Sequence, residues 1–299
     1  MKRFIILVII MLVMCSFSSV AKINIYNQSS EKNDPLKMDD DVPTWQVGNY
    51  WTYEVDTLNL SLNESGQIFT INFTMNNLNL EVTSTVTDTY VLDVSGKIEG
   101  SFLYDDGAGK RLAGNLYFTS FSGNIVVHQS DLALKNGNLV LRSIALLREH
   151  PFLSTLPFPL PIPLTITFNL ENNMPRPFID FPLFDGKMGF IVESLISANI
   201  KVESIVLKIL NIFIPTVPAE LFFEQQINLP EIIYNATVEN ITVKAGMFSA
   251  YKIALYEGLL GSINYAPGVG NIIKTEAEMN LEDSLYFKFY GECKKYSFA

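Results

Sequence analysis

A chain of 299 residues, 48% of them hydrophobic, has enough apolar mass for a sizeable core, in one large β domain or two smaller ones. The formal charge is −10, with no run of Lys or Arg, which argues against nucleic acid and against charge-driven attraction to anionic lipid. Only 17% of residues are charged and the mean hydropathy is +0.21, so much of the apolar surface must be buried or held against something greasy.

Residues 1–21 read as a secretory signal. Lys2-Arg3 precede the apolar run Phe4 to Cys15, and Ser19-Val20-Ala21 offer a small-residue cleavage site. The run is shorter than the ~20 residues that span a bilayer, which favours cleavage over a retained anchor. Lipidation at Cys15 is a third reading, against which Met14 stands where a small residue is usual. Cleavage leaves Cys293 alone and no intramolecular disulfide. The expected location is extracytoplasmic: secreted, cell-surface or periplasm-like. Six N-x-S/T sequons, at Asn27, Asn59, Asn63, Asn72, Asn235 and Asn240, are candidate glycosylation sites.

Residues 22–41 are polar and read as a flexible spacer, and residues 42–299 as a single β-rich domain. Trp45 and Trp51 stand six apart, on one face if the chain is extended throughout, and Trp51, Tyr53 and Val55 alternate as a half-buried strand. A core anchor is favoured over an aromatic cage. From Leu58 to Leu147 the pattern is a meander of short strands, Ile68 to Thr74, Leu78 to Val86 and Tyr90 to Val94 among them. Asp105 to Gly109 reads as a turn, and Ser122-Gly123-Asn124 and Asn136-Gly137-Asn138 as hairpin turns.

Pro151 to Pro163 excludes an interior strand or a helix, because each Pro lacks a donor and restricts its predecessor. Its apolar texture suits either a loop packed on the core or a greasy rim over a cavity. Over Phe190 to Ile214 a helical wheel puts Glu193, Ser197, Lys201, Ser204, Lys208 and Asn211 on one face. Leu195, Val202, Val206, Ile209 and Phe213 fall on the other. An amphipathic helix is the preferred reading, although Ile196, Ala198, Ile200 and Val202 also alternate as a strand. Leu221 to Leu229, Ile232 to Val243 and the stretch Val243 to Thr275 return to strand texture, with Pro267-Gly268 and Gly270-Asn271 as turn chemistry.

No catalytic constellation is legible. His128 and His150 lie outside any metal-ligand spacing, Gly268-Val269-Gly270 lacks the rest of a dinucleotide fingerprint, and Glu276 with Glu278 reads as a solvent-facing pair. No enzyme activity, cofactor or metal is expected, with an exported hydrolase as the minor alternative.

Four stretches carry a resemblance. W-Q-V-G-N-Y-W-T-Y at Trp45 to Tyr53, F-P-L-F-D-G-K-M-G at Phe181 to Gly189, V-K-A-G-M-F-S-A-Y-K-I from Val243 and Y-A-P-G-V-G-N-I-I-K from Tyr265 resemble motifs of exported prokaryotic domains of unknown function. Gly189 stands where that family has Trp. These domains are similar in architecture to the LolA/LolB lipoprotein carriers. The resemblance implies a mainly β, antiparallel half-open β-barrel with one or two amphipathic helical or loop plugs, and assigns no catalytic site. The expected function is binding of a lipid or acylated partner, by Phe152, Phe158, Ile162, Phe178, Leu183, Leu195, Val202 and Phe213, at or near a membrane or cell surface. The alternative is a structural cell-surface glycoprotein whose concavity its own side chains fill.

Overall fold

The computed structural model describes residues 42–298 apart from 65, 106, 109–110, 150–159, 174, 176, 178, 214–219, 230, 257–259 and 282–284. The expected leader and spacer, Asn27 and most of the Pro-rich stretch therefore lie outside the described residues. The rest is mainly β, as the alternation predicts. The strands are β1 (Tyr50–Glu64), β2 (Gln67–Val86), β3 (Thr89–Asp105), β4 (Arg111–His128), β5 (Leu134–Glu149), β6 (Leu160–Asn172) and β7 (Met188–Ile191). They continue as β8 (Ser194–Glu203), β9 (Glu220–Leu229), β10 (Ile232–Val243), β11 (Gly246–Leu255), β12 (Leu260–Ala266), β13 (Asn271–Leu281) and β14 (Leu285–Ser297). One helix, α1 (Ile205–Phe213), falls between β8 and β9. All pairings are antiparallel, in one sheet of order β7-β10-β11-β12-β13-β14-β1-β2-β3-β4-β5-β6-β8-β9.

The strands are far longer than the sequence suggests, because bulges join segments that read as separate. In β2 the buried set Ile71 and Met75 is odd-numbered, whereas Leu78, Leu80 and Val82 are even-numbered. The register slips between Asn76 and Asn79, with Asn77 at φ +52°, so one extra residue keeps both sets on one face. β1 makes the same correction between Val55 and Thr57, and β4 between Tyr117 and Ser120.

The two hairpins expected at Ser122 to Asn124 and Asn136 to Asn138 do not form. Those residues sit inside β4 and β5 and pair with each other, Gly123 with Leu139 and Ile125 with Gly137. The actual turn follows His128, where Asp131 accepts a hydrogen bond from the Ala133 amide at 2.9 Å and Leu132 adopts φ +55°. Gly123 is there for another reason: a Cβ would overlap the Asn138 carbonyl oxygen.

The helix expected over Phe190 to Ile214 is also corrected. Met188–Ile191 and Ser194–Glu203 are strands, and only Ile205–Phe213 is helical, with the Ser204 hydroxyl capping the Val206 amide at 3.2 Å. Neighbouring strands on both sides of β8 override the wheel pattern. The end of the Pro-rich stretch is corrected too. Pro161 and Pro163 lie in β6, between β5 and β8 in the sheet. β8 pairs with β6 only from Thr165 to Asn172, so the two prolines fall where β6 has one neighbour among the described strands. Proline is tolerated on such an edge where its missing donor would face away from the partner strand.

A continuous ribbon joins the two ends of the sheet. Ile191 pairs with Ile232 and Ser194 with Leu229, so β7–β10 and β8–β9 share one register across two-residue links. Three Cα steps allow at most about 11 Å between Ile191 and Ser194. The sheet must therefore curl until its ends meet at that ribbon.

Most of the buried apolar residues form one core cluster, largely on the inner face. The outer face of β1 to β3 is polar, carrying Glu54, Asn59, Asn72, Thr74, Asp93, Lys97 and Glu99. This is the reverse of the apolar-out, polar-in alternation of a membrane-spanning barrel.

Candidate functional site

At one end of the sheet the inner face is filled. Gly48, at φ +91°, turns the chain so that the Trp45 and Trp51 rings meet at 4.9 Å. The two indoles come together through this turn rather than through an unbroken strand. The Trp45 Nε1 donates to the Gly270 carbonyl and the Trp51 Nε1 to that of Val269, each at 2.8 Å, and the Tyr53 hydroxyl to that of Ile272 at 2.9 Å. The opening motif thus holds the β12–β13 turn, and the tryptophans are core anchors.

A loop plugs the same core. Ile179, Phe181 and Leu183 are buried, and the Phe181 ring meets Tyr265 edge-on at 5.1 Å. The Lys187 Nζ pins this loop through the Asp180 carboxylate at 2.9 Å and the carbonyls of Pro182 and Asp180. The Tyr234 hydroxyl donates to the Asp180 carboxylate at 3.1 Å. Burial, then the Asp180 charge, raises the tyrosine's pKa, so the phenol stays a neutral donor. A Cβ at Gly189 would lie 2.7 Å from the Tyr234 hydroxyl, which leaves no room for a tryptophan there.

At the other end the apolar face continues but is only partly covered. Phe73, Gly100, Leu116, Ala145 and Ile162 form one cross-strand row over β2 to β6, in which Leu116 and Ala145 are buried and the other three half-buried. On the same inner face Phe102, Ile166 and Val202 are half-buried against the core, and Ile162 and Leu164 are half-buried as well. Gly100, Gly114 and Ala145 leave little side-chain bulk between the larger residues. The Ser143 hydroxyl, opposite Leu164, is buried on this face and has no hydrogen-bond partner among the described residues. A buried hydroxyl left so is costly and needs a reason.

Of the residues expected to line a cavity, Ile162 and Val202 lie on this face. Leu183 is wholly buried in the plug, and Leu195 turns with Ser197 and Asn199 to the opposite side of β8. Phe152, Phe158 and Phe178 lie outside the described residues, as does the side chain of Phe213. Helix α1 touches β6 but keeps Ile205, Ile209 and Ile212 exposed, where the wheel had put Ile209 on the buried face. The sequence reading missed Phe73, Phe102 and Ser143. Their alternation is legible, but only the bulges show which face each occupies.

The polar chemistry elsewhere is structural. Lys244 reaches Glu54, Asp56 and Glu292 at 3.3–3.4 Å, and Lys294 reaches Glu54 at 3.2 Å. The Lys294 ammonium draws the Glu54 pKa down, burial opposes it, and Lys244 adds to the lowering. Glu276 and Glu278 are exposed and engaged by Lys274 and Lys288. Burial pushes the Cys293 thiol up to about 12, which makes it a poor nucleophile at neutral pH. His128 lies 3.7 Å from the Asp88 carboxylate. Among the described residues no three His, Cys, Asp or Glu side chains gather in metal-ligand geometry. A dimple lined by Tyr53, Val55, Ile272, Thr275, Phe289 and Gly291 has room for about one water.

Comparison of the chain with protein-family models, with curated proteins and with solved structures finds no match in any of the three.

Proposed function

We propose that the protein is an exported, non-catalytic carrier that holds a hydrophobic ligand, a lipid or an acylated partner, on the inner face of a half-open barrel. The carrying observation is the apolar row from Phe73 to Ile162, which runs past the filled core with the unpartnered Ser143 hydroxyl beside it. Such a face favours a ligand with a long apolar body and one hydrogen-bonding group, as in a fatty acid or an ester. The curled sheet and the buried loop plug support the likeness to the lipoprotein carriers. The filled tryptophan end, with sequons on the outer face, favours the second reading, a structural surface glycoprotein.

Titration with a fluorescent fatty acid, cis-parinaric acid, separates the two. The pair Ile162→Asp and Val202→Asp should abolish probe binding while far-ultraviolet circular dichroism stays unchanged. Ser143→Ala removes an orphaned hydroxyl, so it should raise the stability of the empty protein by about 1–2 kcal/mol and yet weaken probe binding. Higher stability with unchanged binding would make Ser143 merely structural, and no saturable binding to the wild-type chain would overturn the carrier reading.

A further inference from the structure

The outer face at the β7 edge of the sheet carries an apolar patch that the carrier reading leaves unused. Met188 is 77% exposed, Phe190 44%, Ile233 38% and Tyr256 51%. The pairings gather them: Phe190 faces Ile233, Met188 faces Asn235, and the Tyr256 amide donates to the Ile233 carbonyl at 3.0 Å. Side chains directly opposite across antiparallel strands stand about 4.5–5.5 Å apart. β7 also ends the sheet order, with no described strand beyond it. An apolar edge strand of this kind invites pairing with another chain.

At the centre of this patch stands Asn235, the acceptor of the sequon Asn235-Ala236-Thr237. Its side chain shares the outer face with Ile233, because the two are two residues apart on β10. The Tyr256 hydroxyl donates to the Asn235 Oδ1 at 2.7 Å. That hydrogen bond fixes the amide by its oxygen and leaves Nδ2, the nitrogen to which a sugar is attached, as the other arm. Exposed Val238 also flanks the sequon at Asn240, but among the described sequons the tyrosine hydrogen bond is found at Asn235. Asn59 and Asn72 face each other across β1 and β2, beside Lys288, Ser61 and Thr70. Asn63 lies near the end of β1, and Asn240 pairs with Ser249.

We propose that Asn235 carries an N-linked sugar whose first residues lie on Tyr256, Ile233, Phe190 and Met188, covering the patch and blocking the β7 edge. In the attachment, the Asn235 Nδ2 forms a bond to the sugar C1. The C1–O bond to a lipid-linked phosphate donor breaks, the phosphate keeps the electron pair, and Nδ2 gives up one proton. The sugar's apolar face then meets the aromatic rings, and its hydroxyls face water.

The proposal rests on the export reading, and one experiment separates the two. The full chain is secreted from an N-glycosylating host and its N-terminal peptide and glycopeptides are read by mass spectrometry. An N-terminus beyond the leader, with a glycan on Asn235, is the expected result. Asn235→Gln, and separately Thr237→Ala, which keeps the Tyr256 hydrogen bond, should each lose one glycan mass and raise hydrophobic-dye fluorescence about twofold. Asn72→Gln should leave the fluorescence unchanged. A cleaved leader with a bare Asn235 overturns the proposal while sparing export, and a bare Asn235 in a stable dimer assigns the patch to a second copy. A retained leader with every sequon bare overturns both. Glycan loss without any rise in fluorescence overturns the covering role.

Discussion

Trp51 shows how much one side chain settles in this protein. Its ring is wholly buried, and its Nε1 ties β1 to a carbonyl 218 residues away. Trp51→Phe would shrink the core and leave the Val269 carbonyl buried without its donor. The expected cost is about 2–4 kcal/mol in denaturant unfolding, with the sheet retained. A change below about 0.5 kcal/mol would mean that the turn holds itself. The anchoring role of the two tryptophans was legible from composition and position. Their partner was not, because nothing local to Trp45 to Tyr53 points to Pro267 to Gly270. Ser143 illustrates the same limit: a serine among Leu139, Leu141 and Ala145 looks ordinary until its hydroxyl is found buried and unpartnered.

Among the elements, bulges explain most of what the sequence concealed. A period of two breaks at Asp56, at Asn76–Asn77 and near Thr119, and each break reads as a strand end when taken alone. Glycine-asparagine turn chemistry misleads for a related reason. Gly123 serves close backbone approach inside a strand, not a turn, and the two uses look alike in sequence. Gly123→Val should therefore cost about 3 kcal/mol or more and lower the melting temperature by at least several degrees, although a hairpin turn would tolerate it better. An unchanged melting temperature would contradict the β4–β5 register. Over Phe190 to Glu203 both periods fitted the residues. The choice was made by β6, β9 and β10, which lie far from that segment in sequence or beyond the helix.

For the whole molecule, an outer face that is polar over β1 to β3, a largely apolar inner face and two ends joined by one ribbon make a curled sheet with an inside. That inside is filled at the tryptophan end by the core and the Ile179–Leu183 loop, and only partly covered around Phe102, Ile162 and Val202. The β class and antiparallel pairing were legible because alternation and turn chemistry recur along the chain. The curl was not, since it depends on Ile191 and Ser194 belonging to opposite ends of a sheet that no local pattern reveals. This partly covered face is the one proposed to hold a greasy ligand. Native mass spectrometry of the mature protein from its own host, followed by organic extraction, tests it most directly. A ligand-holding face gives an added lipid-like mass that extraction removes, and an apo mass carrying only glycans would overturn that reading.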